Sequence, residues 1–246
     1  MPGPALLAAF LLIALIYGSV GFGGGSSYTA LLTLTALCPA EIPVVSLVCN
    51  LLVVAGSAAL FRRRGHFVPA LAGPFLAGSV PAALIGGAWP IRQEIFLGLL
   101  GVSLVLAGGA LLLRGRELEP GPPPGRAQAL ITGAGLGLLS GLVGIGGGVF
   151  LAPLMLWKRW ASAKQVAAAC SVFILANSLA GLIGQGLKRG TLSPIGDHWP
   201  LFLAVIAGGQ LGSRLGSGPL SQSSVRRLTA ALVVFAGARV LWKLAG

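Results

Sequence analysis

Val20-Gly21-Phe22-Gly23-Gly24-Gly25 recurs as Val143-Gly144-Ile145-Gly146-Gly147-Gly148, 123 residues further along the chain. Each run interrupts an apolar stretch, 4–37 and 127–157, that is too long for one simple bilayer span and too short for two. A bilayer core takes about 20 apolar residues per helix. Glycine in a helix interior costs about 1 kcal/mol relative to alanine, so four glycines within five residues predict a helix broken inside the membrane. Irregular backbone at that depth is tolerated only where protein or a water-filled cavity covers it. The two breaks therefore mark an enclosed place. Scattered glycines such as Gly108-Gly109, Gly133 and Gly137 carry a plainer expectation, close helix packing through small residues.

The repetition continues outward from the breaks. Ser46, Gly56, Arg64-Gly65 and Pro69 match Ser171, Gly181, Arg189-Gly190 and Pro194 at an offset of 125, and Gly78 and Gly86 match Gly208 and Gly216 at 130. The offset grows in one direction only, as small loop insertions between duplicated halves would make it. Apolar runs near 4–37, 42–61, 67–89, 95–113, 127–157, 165–187, 199–218 and 225–245 divide into residues 1–113 and 127–246. Between them, 114–126 holds Glu117, Glu119 and Pro122-Pro123-Pro124 and reads as an exposed linker. The fold expected is an all-α polytopic membrane protein of two homologous four-span halves, each opening with a glycine-broken helix or a re-entrant hairpin.

Composition agrees. The 246 residues are 55% hydrophobic and 9% charged, with a mean hydropathy of +0.91, whereas a soluble domain is about a quarter charged. The net charge of +12 comes from short basic clusters between apolar runs, without a basic face interleaved with aromatics, so it does not point to nucleic acid. Cys38, Cys49 and Cys170 are odd in number and spaced unlike any metal motif. Leu6 to Val20 lacks the basic n-region and cleavage site of a signal peptide and is expected to stay in the mature chain.

Loop charge bears on topology. If each broken segment crosses the membrane once, nine loop bases face one side and six the other. If each returns to its own side, the halves are inverted. Arg62, Arg63, Arg64, Arg114, Arg116, Arg126, Lys158, Arg159, Lys164, Arg226 and Arg227 then face the cytoplasm, against Arg92, Lys188, Arg189 and Lys243 outside. Eleven to four is the stronger bias and favours an inverted repeat.

No catalytic constellation is present. His66 and His198 both lie in loops, no two acids lie at helical spacing within a span, and the glycine runs lack the strand and downstream acid of a dinucleotide fingerprint. An enzyme is not expected, and neither a cofactor nor a metal is called for. What remains is transport, through polar residues inside the spans. Ser19, Ser26, Ser27, Tyr28 and Thr29 surround the first break, and Ser140 precedes the second. Ser46, Asn50 and Ser57 follow in one half, and Ser171, Asn177, Ser178 and Gln185 in the other. Serines in membrane helices often bond only their own backbone, while Asn50 and Asn177 are costlier to bury.

Half-helices starting at the breaks would aim backbone N–H groups and the positive dipole end at the midplane. That makes Gly23, Gly24, Gly25, Ser26, Ser27, Gly146, Gly147 and Gly148 the candidate anion-binding backbone, with Ser46, Asn50, Ser171 and Asn177 as side-chain candidates. Arg214 is the only base well inside an apolar run before the last span, and either meets the anion or snorkels to the interface. No Asp or Glu lies near the middle of a span, which disfavours a cation and favours an anion or a neutral solute.

These residues resemble a known family. Gly18 to Gly25 with the span to Phe67, and Leu139 to Gly148 with Ala167 to Ser171 and Asn177 to Gly181, are similar to the sulfite exporter TauE/SafE family of bacterial inner-membrane transporters. The likeness covers nearly the whole chain. It implies a secondary transporter, in the exporting direction, for small sulfur-containing anions such as sulfite or organosulfonates, working by alternating access. The partners implied are a small anionic substrate and the lipid bilayer, and a homo-oligomer is compatible with this reading. A passive channel or a carrier of a neutral metabolite is the alternative. Ser26-Ser27-Tyr28 after the first break departs from the apolar Val149-Phe150-Leu151 after the second, which leaves the organic part of the substrate open.

The inverted arrangement has a direct test. With Cys38, Cys49 and Cys170 replaced, Gly65→Cys and Gly190→Cys are exposed in turn to a membrane-impermeant thiol reagent on intact cells. Inversion predicts labelling at Gly190 alone, and equal labelling of both positions overturns it.

Overall fold

The computed structural model of the chain describes residues 3–32, 41–89, 120–143, 145–189 and 198–245, with isolated positions between them. Every regular element among them is a helix. In chain order these are α1 (Pro4–Ser19), α2 (Gly25–Leu32), α3 (Ile42–Arg63), α4 (Pro69–Ala88), α5 (Arg126–Val143), α6 (Gly148–Trp157), α7 (Ala163–Arg189), α8 (Trp199–Ser217) and α9 (Gln222–Ala245). Among the described residues, Ile42–Arg63, Pro69–Ala88 and Ala163–Leu187 are long and apolar enough to cross a membrane, and Pro4–Ser19 and Gly148–Trp157 are shorter apolar helices. The run 95–113 and the first part of the linker 114–126 fall outside the described segments.

Both glycine runs break the helix, as their composition requires. α1 stops because Gly21 turns left-handed, with φ of +77°. Its amide donates to the Gly18 carbonyl and that of Phe22 to the Tyr17 carbonyl, so the last carbonyls of the helix stay satisfied. Gly24, at φ +85°, then starts α2, accepting from the amides of Ser27 and Tyr28. In the second run the left-handed pair is Gly146 and Gly147, at +83° and +74°.

α2 folds back along α1. Tyr28 stacks on Phe10 with ring centroids 4.7 Å apart. Phe10, Tyr28, Leu32 and Ile42 share one cluster with Leu201 at the start of α8. Residues 4–32 are thus a helix, a turn and a shorter returning helix, and most of the rest of the stretch to 37 lies outside the described residues.

With lipid outside as apolar as a leucine side chain, close approach of backbones must hold the helices together. A methyl added at Gly133, Gly137 or Gly141 of α5 would strike the carbonyls of Phe75, Ser79 and Ala83 on α4, in steps of four on both helices. α4 and α5 therefore run side by side in the same direction. Gly208, Gly212 and Gly216 of α8 lie on the Leu11, Leu15 and Ser19 carbonyls of α1 in the same manner. α3 also runs with α8, since Gly209 lies on Val53, the Ser57 and Ser213 hydroxyls bond at 2.8 Å, and His66 Nε2 bonds the Ser217 carbonyl at 3.2 Å.

α7 opposes α3. Leu47 meets Gly181 near the start of α3, while Gly21, level with its far end, lies on the Ala167 carbonyl. Gly87, near the end of α4, packs on the other side of Gly181, so α4 and α5 run against α1, α3 and α8. Helices from before and after the linker are interleaved, and the two glycine turns come together at their centre.

The packing expectation for Gly133 and Gly137 holds and can be measured. Gly133→Leu or Gly137→Leu should destabilise the protein in detergent by about 1–3 kcal/mol or more, the usual cost of overpacking. Gly135→Leu, at an exposed position of the same helix with nothing within 4 Å of an added Cβ, should leave the melting temperature nearly unchanged.

Candidate functional site

Asn50 of α3 sits where the two glycine turns meet. It is wholly buried. A Cβ at Gly23 would collide with its Oδ1 and one at Gly25 with its Nδ2, so the first turn is moulded over the amide. Across the junction, Asn50 Nδ2 donates to the Ile145 carbonyl of the second turn at 3.2 Å, 95 residues away in sequence. Gly146 faces the same nitrogen, together with Ile174 and the Ser178 hydroxyl. One side chain thus touches both breaks.

Hydroxyls support the first turn. Ser46, one turn before Asn50 on α3, donates to the Gly25 carbonyl at 2.9 Å and accepts from Thr29 at 3.1 Å. The Ser27 and Tyr17 hydroxyls bond at 3.0 Å, tying α2 to α1. Gly24 packs on Ile13 and the Tyr28 ring. Ser26 is in the first turn of α2, with a side chain outside the described set. Around the second turn the neighbours are more apolar: Ile174 at Gly146 and Gly148, and Phe173 at Gly147, where Ser140 supplies the polar atom.

The remaining candidates are distributed differently. Ser171 is buried and donates to the Ala168 carbonyl of its own helix at 2.8 Å. Asn177 is buried on α7 with neither side-chain polar atom partnered. Arg214 is exposed on α8, where its carbonyl accepts from Arg64 Nη1 at 3.2 Å. Sequence marks Ser140 and Ser178 only as polar residues within apolar runs, and the Ile145 carbonyl not at all. The structure puts all three at the second turn.

Asn50 Oδ1, Ser140 Oγ, both Asn177 side-chain atoms and Ser178 Oγ are buried without a hydrogen-bond partner. Burying an amide or hydroxyl unpaired costs on the order of 1–3 kcal/mol by protein measurements, and more against hydrocarbon. Three of these atoms, Asn50 Oδ1, Ser140 Oγ and Ser178 Oγ, border the turns and are what a polar ligand there would satisfy. Among the described residues no group of His, Cys, Asp or Glu could hold a metal ion.

Comparison with known proteins gives the family. The family model for the sulfite exporter TauE/SafE matches residues 6–240. The chain belongs to this family. A probable membrane transporter, y4hK of Sinorhizobium fredii, is 38% identical over 243 residues, covering 96% of this chain and 97% of the relative. Probable membrane transporters called MamO, from Paramagnetospirillum magneticum and Magnetospirillum gryphiswaldense, are each 34% identical over 101 residues, which is 38% of this chain and 16% of theirs. No solved structure matches. Family membership and the apolar helices make the chain a multi-pass membrane transporter of a small molecule, and not an enzyme.

The moulding of the first turn on Asn50 can be tested by a double-mutant cycle. Gly23→Ala alone should lower stability by about 1–3 kcal/mol through collision with the amide. Adding Asn50→Ala should recover on the order of 1 kcal/mol of that loss. Strictly additive melting shifts would separate the two residues.

Proposed function

We propose that the chain is a secondary transporter exporting small sulfur-containing anions, such as sulfite or organosulfonates, across the bacterial inner membrane. Residues 1–113 and 127–246 form two inverted four-span repeats joined by 114–126, each opening with a re-entrant hairpin. The substrate binds between the hairpins, and rocking of one repeat against the other exposes it to each side in turn.

The observation that carries this reading is Asn50. A buried amide from one repeat holds the glycine turns of both and keeps an unpartnered oxygen at their junction. Opposed directions of α1 and α5, and of α3 and α7, support the inversion. The return of α2 along α1 supports the hairpin. The sulfur chemistry leans on the family description, the anionic charge on the lack of any acid near mid-span.

Proteoliposome flux with labelled sulfite, sulfoacetate, taurine and an uncharged control tests the proposal. Concentration-dependent, saturable flux of the sulfur anions is expected. Gly24→Leu and Gly147→Leu should abolish it at matched membrane expression, since both positions are left-handed and closely covered. Flux of the uncharged control alone would move the assignment to a neutral carrier, non-saturable flux to a channel. Full flux in both glycine variants would remove the turns from the site.

A further inference from the structure

We propose that this site selects a singly charged oxyanion that still carries one O–H, and that Asn50 Oδ1 accepts the hydrogen bond of that proton. The inference rests on the transport reading above and narrows its preference, within the sulfur anions named there, to the hydrogensulfite type of ion, which carries an O–H that sulfonates lack.

The amide has a fixed orientation. Its Nδ2 is committed to the Ile145 carbonyl, and a flipped amide would press two carbonyl oxygens together. The free atom at the junction is therefore an acceptor, Oδ1, buried against Gly23. A fully ionised oxyanion has only acceptors to offer and would be repelled there. A ligand with one hydroxyl can donate to Oδ1, while its other oxygens accept from the Ser178 hydroxyl, which shares Gly146 with Asn50, and from the Ser140 hydroxyl at Gly147.

Charge leads to the same ligand. The Born cost of taking an ion out of water rises with the square of its charge, so a dianion meets about four times the penalty of a monoanion. Among the described residues no cation stands at the junction to offset it. The bases of the packed helices are Arg62, Arg63 and Arg64 at the end of α3, Arg126 opening α5, Lys158 and Arg159 just past α6, Lys164 opening α7, Lys188 and Arg189 ending it, Arg214 on the exposed side of α8, and Arg226, Arg227, Arg239 and Lys243 on α9. Titratable neighbours are Tyr17 and Tyr28 in the hairpin, Cys49 on α3 and Cys170 on α7, with Glu41 just before α3. Neither tyrosine nor cysteine has an ordinary pKa between about 6 and 8. The two histidines lie away from the junction, His66 beyond the end of α3, whose thirteen residues from Asn50 to Arg63 span about 20 Å, and His198 just before α8. The proton that titrates is the ligand's.

Methylphosphonate and methanesulfonate are near-isosteres. In mildly acid buffer both are monoanions, and only the phosphonate keeps an O–H; in mildly alkaline buffer it becomes a dianion. Binding of each to the full chain in lipid nanodiscs is measured by calorimetry at both pH values. The wild type should bind methylphosphonate roughly tenfold more tightly than methanesulfonate in acid buffer and lose that advantage in alkali, with methanesulfonate nearly flat throughout. Asn50→Leu should abolish the acid-buffer advantage, and His66→Gln should leave it unchanged. Equal or weaker binding of methylphosphonate in acid buffer, or tighter binding of its dianion, overturns the inference without recourse to any variant. An Asn50→Leu protein that melts like the wild type and keeps the full advantage overturns it as well. Binding of neither anion, with no flux of any oxyanion, would instead sink the transport reading itself.

Discussion

A backbone N–H or C=O inside a bilayer has no water to bond, and that constraint organises the rest of this structure. Two glycine runs break their helices in the apolar interior, so the freed groups must be covered by protein. The cover comes from interleaving. α1, which leads into the first break, lies on α8, and α5, which leads into the second, lies on α4. Each contact is close enough that a single methyl at Gly137 or Gly212 would strike a carbonyl. The glycines away from the breaks thus permit the approach that shields the glycines at the breaks.

Much of this was legible because glycine writes backbone geometry into sequence. Gly21, Gly24, Gly146 and Gly147 take positive φ, where L side chains are strained, so the breaks could be read without a structure. Gly133 and Gly137 were equally legible as packing positions. Partnership across the fold was not. Nothing in the sequence pairs Asn50 with the carbonyl of Ile145, because a backbone acceptor has no residue signature. Ser171 and Arg214 could be ranked only by residue type and depth. Whether a serine turns back on its own helix, as Ser171 does, or an arginine faces outward, as Arg214 does, depends on which neighbours the tertiary packing supplies.

The repeated sequence fixes two similar turns but not two similar linings. At the offset of 125 that relates Ser46 to Ser171, Asn50 corresponds to Leu175 and Cys49 to Ile174. The first turn is accordingly wrapped around an amide, and the second around the methyls of Ile174 and the ring of Phe173. Backbone shape constrains Gly21 and Gly24 in the first turn and Gly146 and Gly147 in the second, where a positive φ would strain an L side chain. Side chains facing the junction are freer to diverge, and a ligand bound between the turns meets unlike surfaces on its two sides.

That one-sidedness bears on how a carrier without buried charge can work. A fixed cation at the junction would hold an anion strongly, but it would stay behind, buried and uncompensated, after release, at a cost of several kcal/mol. Amides and hydroxyls leave a smaller penalty when emptied, on the order of 1–3 kcal/mol each. In the alternating-access carrier proposed above, the empty site would have to persist long enough to reset, so neutral donors would suit return as much as capture. With Asn50 Nδ2 bonded to Ile145, part of that penalty is already met within the protein, and the two turns remain joined when no ligand lies between them.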